Sequence, residues 1–197
     1  LERRRVLHAR IVEALEAFAP DWAAEQVERL AHHALRGEVW GKAVTYCQQA
    51  GARAHDRAAF REAVASFEQA LQALAHLPES GDTRGLAIDL RLALGGTVFV
   101  LGEYGRRLAL LGEAEALARA LDDRTRLGRV LAGKAQVLMN TGDHNGAIAT
   151  GQQVLELAAA LGDSALQGQA YFRLGQAYYY IGDFGRAAEL FRRNVEV

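Results

Sequence analysis

Residues 171–191 read YFRLGQAYYYIGDFGRAAELF, and this stretch decides the fold. Tyr171, Leu174, Gly175 and Tyr178 fall at i, i+3, i+4 and i+7, the spacing of one face of an α-helix. Gly182-Asp183-Phe184 interrupts the pattern, and Ala187, Ala188 and Phe191 begin it again. The same glycine–acid–aromatic phrase stands at Gly102-Glu103-Tyr104 and Gly142-Asp143-His144, so three copies occur at intervals of 40 residues. A period between 20 and 50 residues marks an array of small supersecondary units, each burying its apolar face only on its neighbours.

Working outward from this hinge, the apolar spacing and the turn signals predict ten helices in five antiparallel pairs. They cover about 2–18, 21–36, 39–56, 59–77, 83–101, 104–121, 124–141, 145–161, 164–181 and 184–197. Asp21 is the expected N-cap of the second helix and Gly37 its stop. The segment from Pro78 to Asp82 is the longest expected loop. Gly51, Gly95 and Gly175 sit seven residues before their hinges. A glycine inside a helix costs about 0.5–1 kcal/mol relative to alanine, so close packing must offset it. Ala63 and Ala187 offer matching small surfaces, and Phe67, Leu111 and Phe191 are the expected large knobs.

These positions resemble the tetratricopeptide repeat. The best copy is Tyr171, Leu174, Gly175, Tyr178, Gly182, Ala187 and Phe191. A second is Leu131, Ala135, Leu138, Gly142 and Ala147. A third, Leu94, Gly95, Val98 and Gly102, places Arg107 where the family has a small residue. A fourth, Gly51, Ala54, Ala63, Phe67 and Ala70, lacks the glycine turn. The usual repeat has 34 residues, so the extra six add about one and a half helical turns. The resemblance implies an all-α, right-handed superhelical solenoid of about five helix pairs. Residues 39–197 form repeats at about 39–78, 83–122, 123–162 and 163–197, and residues 1–38 form a degenerate pair or a junction to an upstream ATPase domain.

The 40-residue form resembles repeats in bacterial signalling ATPases and in regulators of the maltose-activator type. The opening ERRRVLHARIVEALE, with VERLAHHALRGEVWGKAVTYCQQAG after it, resembles the segment that follows the ATPase core in bacterial proteins carrying a class III nucleotide cyclase domain. That resemblance implies a non-catalytic regulatory tail in the cytoplasm. The alternative is the ligand-sensing arm of an ATPase-type transcription regulator. The chain begins and stops inside helical pattern, as a segment of a longer protein would.

Composition narrows the function further. The net charge is −1, which gives no general attraction to nucleic acid or anionic lipid. No apolar run approaches the roughly 20 residues of a membrane span. The single cysteine, Cys47, forms no internal disulfide and reads as a buried structural thiol. Gly128 to Ala135 nearly spells a phosphate-binding loop, but Ala135 replaces the magnesium-binding Ser or Thr and the segment falls inside a predicted helix. His32 and His33 are adjacent and point about 100° apart, which cannot make the i, i+4 metal pair. Arg3-Arg4-Arg5 reads as a solvated first turn. No catalytic residue, cofactor site or metal site is expected.

What remains is a groove. In the family the first helix of each pair lines the concave face. The carry-over places Thr45, Gln48 and His55 there, then Asp89, Leu92 and Phe99, then Arg129, Gln136, Met139 and Asn140, then Gln169, Phe172, Gln176, Tyr179 and Tyr180. Amides, aromatics and a methionine suit adaptable contact with a peptide or protein segment. Neither Lys42 nor Lys134 falls in the set, so the lysine-rich clamp that some family members use for acidic C-termini is not expected. Two readings of Met139, Phe172, Tyr179 and Tyr180 stay open at this point: a binding groove, or packing on a further repeat or another domain of the same chain. In the second reading the last repeat also offers an apolar surface for a homodimer.

Overall fold

The computed structural model describes residues 2–18 and 26–196. Among them are ten α-helices and no strand. In chain order these are α1 (Glu2–Phe18), α2 (Val27–Arg36), α3 (Trp40–Asp56), α4 (Phe60–Leu74), α5 (Gly81–Val100), α6 (Tyr104–Ala120), α7 (Arg124–Asn140), α8 (His144–Leu161), α9 (Ser164–Tyr180) and α10 (Phe184–Glu196). The expected cap at Asp21 lies outside the described residues. The chain resolves into two compact units, 1–102 and 103–197. Within each unit every helix packs on the one before it, and α7 also lies beside α9.

In the N-terminal unit Gly51 is buried on α3 because Phe67 of α4 lies across it. A Cβ there would stand 2.7 Å from the phenylalanine ring. Phe67 is 3% exposed, with Ala63 and Ala70 buried on the same helix. The hinge between α3 and α4 is Ala58, left-handed at φ 59°, and Glu38 plays the same part between α2 and α3 at φ 55°. Neither is glycine, which is why this repeat shows no glycine phrase. The segment expected to be a loop up to Asp82 instead starts α5 at Gly81. Ser80 Oγ accepts from the Thr83 backbone N–H, and Thr83 Oγ1 accepts from the Ser80 N–H, a reciprocal cap that satisfies the free donors of the first turn. Cys47 is fully buried and its thiol pKa is pushed up to about 11 by burial, so it packs as a small apolar group.

The C-terminal unit repeats the glycine–phenylalanine contact between α9 and α10. A Cβ on Gly175 would meet the Phe191 ring at 2.8 Å. Gly142 and Gly182 are left-handed at φ 85° and 86°, as the repeated phrase demands. An aspartate side chain caps each of α7, α8 and α9: Asp123, Asp143 and Asp163 accept from the N–H three residues on, each at 2.9 Å. Asp183 does the same for Arg186 at 3.1 Å. The core between α7, α8 and α9 is Leu131, Val154, Ala158, Leu166 and Ala170. The near phosphate loop is the interior of α7, and Lys134 is held by Glu115 of α6 at 2.6 Å.

Candidate functional site

The ends of α7 and α9 bring several polar and aromatic groups of the C-terminal unit together. Met139, Asn140, Gly142, His144, Gln176 and Tyr180 line an open cleft of roughly 380 Å³. The helix periodicity places Met139 and Asn140 at the end of α7 and Gln176 and Tyr180 at the end of α9. The glycine hinge at Gly142 then turns the chain so that His144, the first residue of α8, comes back against Tyr180. Their rings stack at 5.2 Å with 9° between planes. His144 Nδ1 is shielded from solvent and makes no hydrogen bond among the described residues.

Gln136 and Gln176 hold two arginines. Arg107 of α6 is 8% exposed and reaches across α7. Gly133 of α7 lies against Leu111 and Arg107 of α6: a Cβ there would stand 3.1 Å from the Leu111 side chain and in ordinary contact with Arg107 Nη2. That nitrogen donates to Gln136 Oε1 at 2.9 Å. Arg173 Nη1 donates to Gln176 Oε1 at 3.1 Å, and its guanidinium lies 5.6 Å from the centre of the Phe172 ring. The Arg107 pKa is pulled down to about 10, first by burial and then by the like charge of Arg173. Burial lowers that of Arg173 as well.

The remaining predicted residues divide. Met139 is 8% exposed and packs with Ala147 and Ala177, so only its edge reaches the cleft. Arg129 and Gln169 are exposed on α7 and α9. Phe172 is half-exposed, with its ring 6.0 Å from that of Phe191. Tyr179 is exposed and meets Tyr180 and Phe184 edge-on at 5.8 and 5.5 Å. In the N-terminal unit Thr45 donates to its own helix at Gly41, and Gln48, Asp89, Leu92 and Phe99 are half-buried. His55 Nδ1 lies 3.1 Å from Oγ1 of the buried Thr97 on α5, which commits it to packing between helices.

The sequence reading missed three members of the C-terminal site: His144, Arg107 and Arg173. Arg107 did carry a signal, because an arginine stands where the repeat takes a small residue. The two adjacent histidines of α2 diverge, His32 exposed and His33 half-buried. His33 and His32 are joined by His8 of α1, whose Nδ1 lies 2.7 Å from that of His33. No group of three or more His, Cys, Asp or Glu side chains among the described residues is arranged to hold a metal ion. No helix there is long and apolar enough to cross a membrane.

Residues 126–197 match the family described as tetratricopeptide repeat. Comparison with curated proteins finds no match. Among solved structures, BtubC (BKLC) from P. vanneervenii is similar over 99% of this chain and 89% of its own, with a TM-score of 0.71 and 18% identity. A point variant of the nearly identical TPR-like repeats of a putative kinesin light chain from Podosopora anserina gives the same score and identity over 99% of this chain and 94% of its own. The Rap protein complexed with Competence and Sporulation Factor is similar over 98% of this chain and 65% of its own, with a TM-score of 0.66 and 12% identity. These likenesses establish the all-helical, TPR-like repeat fold.

Proposed function

We propose that this chain is a non-catalytic protein-interaction module and that the α7/α9 face of its C-terminal unit receives a peptide segment of a partner or of another domain of the same protein. The observation that carries the reading is the cleft itself. Asn140, Gln176, His144 and Tyr180 present amide, imidazole and phenol groups around an apolar floor at Met139. A few placed polar groups around an apolar base form the usual constitution of a recognition site. Tyr180 is 63% exposed although its ring already has one stacked face, so burying the other costs little further ordering. The similar fold of Rap, solved with Competence and Sporulation Factor, supports a binding role for such a scaffold. The opening residues support the finer reading, a cytoplasmic regulatory tail of an ATPase-linked nucleotide cyclase. In that setting the occupant biases the upstream domains.

The test is selection of random dodecapeptides displayed on phage against the whole chain, followed by titration of the recovered peptides. Tyr180→Ala combined with Gln176→Ala is expected to weaken them at least tenfold while the melting temperature stays put. Recovery of no peptide, or of peptides indifferent to both changes, contradicts the proposal.

A further inference from the structure

A half-buried cation normally sits beside an anion, because removing a charge from water is costly unless something compensates it. Arg173 departs from that rule. Its contacts are a hydrogen bond to the Gln176 amide oxygen and the ring of Phe172, and no carboxylate among the described residues lies within ion-pair distance of it. Its own charge acts on Arg107, a group of the same sign. Each guanidinium is held by a glutamine oxygen, Arg107 by Gln136 on α7 and Arg173 by Gln176 on α9. This arrangement turns the two amide nitrogens into further donors, and neither has an acceptor among the described residues. Adjacent α7 and α9 thus present guanidinium and amide N–H groups, with an open cleft at Gln176 beginning where they end.

Resting on the binding face proposed above, we infer that its occupant is an extended peptide carrying an Asp or Glu side chain, whose carboxylate is taken by Arg173 and the Gln136 and Gln176 amides. A neighbouring aromatic or aliphatic side chain enters the cleft against Tyr180 and Met139. The carboxylate supplies the missing counter-charge, and a charge-assisted bond to a planar guanidinium fixes its position. These groups come from α7 and α9, with Arg107 of α6 behind them; the chain's two lysines take no part.

The phage-selected dodecapeptides provide the probe. They are resynthesised with an amidated C-terminus, so that only side-chain carboxylates remain, and titrated against the whole chain. The expected result is an excess of Asp and Glu beside apolar residues in the recovered set. Replacing the key acid by its amide then weakens binding at least tenfold, and Arg173→Gln removes that discrimination. Arg173→Lys keeps part of it, and Arg192→Gln, an exposed arginine of α10, changes nothing. Inorganic phosphate at millimolar concentration is not expected to displace the peptide. The acid-to-amide change is made in the peptide, so it reads out whatever Arg173→Gln does to folding. Peptides that lose affinity with Tyr180→Ala but bind equally as acid and amide overturn this inference and leave the binding face standing. Peptides indifferent to Tyr180→Ala and Arg173→Gln alike, or no peptides at all, overturn both. Displacement by phosphate places an inorganic or phosphoryl ligand at Arg173 and also overturns it.

Discussion

The two compact units solve one packing problem in the same way and finish their turns differently. In each, a helical glycine lets a phenylalanine of the next helix lie flat on the backbone, Gly51 under Phe67 and Gly175 under Phe191, with near-identical approach distances. Yet the N-terminal unit starts α3 and α4 behind Val39 and Ala59, which make no side-chain cap, and turns them through left-handed Glu38 and Ala58. The C-terminal unit starts α7, α8 and α9 behind aspartates and turns α7–α8, α8–α9 and α9–α10 through Gly142, Gly162 and Gly182. The glycine–phenylalanine contact thus recurs once in each unit, while the turns beside it are built differently.

The sharpest way to break this equivalence is to remove the knob. Phe67→Ala empties a fully buried site and is expected to cost about 3–5 kcal/mol. Phe191→Ala should cost clearly less, because Phe191 is only partly covered. Denaturant unfolding followed by hydrogen exchange in each unit measures both. Equal losses would mean that the two contacts do not differ in burial as described.

Filling the hole comes next. Gly51→Leu and Gly175→Leu each drive a side chain into a phenylalanine ring and should cost about 1–3 kcal/mol by overpacking. An unchanged melting temperature in either variant would show that its repeat frame is misplaced.

The turns should respond in opposite directions. Asp143→Ala removes a helix cap and is expected to cost about 1 kcal/mol. Ala58→Gly relieves a left-handed alanine and is expected to stabilise by up to about 1 kcal/mol. Thermal melts of the two variants shifting in the same direction would contradict the contrast.

The smallest effect separates the units by pH. The His33 pKa is lowered by burial, then by the charges of His8, His32 and Arg29. The folded unit therefore favours neutral His33. Its contribution is full above the ordinary value of 6.5 and is lost as pH falls below it, when the unfolded chain takes up the proton first. In the C-terminal unit burial pushes Glu115 and Asp123 up, but hydrogen bonds outweigh that: Lys134 and Arg119 hold Glu115 down, and Arg126 holds Asp123 down. Their contributions persist until pH falls below about 4.5 and 3.8 respectively. Unit-resolved hydrogen exchange should show the N-terminal unit loosening first between pH 7 and 5, and His33→Asn should reduce that loss. Simultaneous loosening would contradict the assignment.

The helices were legible because their information is local. A 3.6-residue period, hinge glycines and small residues beside large knobs fix α7 to α10 within a residue or two. The N-terminal start of α5 was misread because the cap is Ser80 with Thr83, and the second member of such a box is more often Glu or Gln. The site was half legible. Asn140, Gln176 and Tyr180 follow from helix phase, and Met139 follows too but mostly faces the core. Arg107 and His144 join the site through packing between residues 29 and 36 positions apart, Arg107–Gln136 and His144–Tyr180, and no local pattern encodes that, whereas Arg173 meets Gln176 only three residues on.

The central claim is that the α7/α9 face of this repeat scaffold is the binding surface. Amide chemical-shift mapping of the whole chain with one phage-selected acidic peptide tests it most directly. The account predicts perturbations concentrated at Gln136, Met139, Asn140, Arg173, Gln176 and Tyr180, abolished when the peptide's acid becomes its amide. Perturbations centred instead on the outer faces of α8 and α10, or in the N-terminal unit, would contradict it.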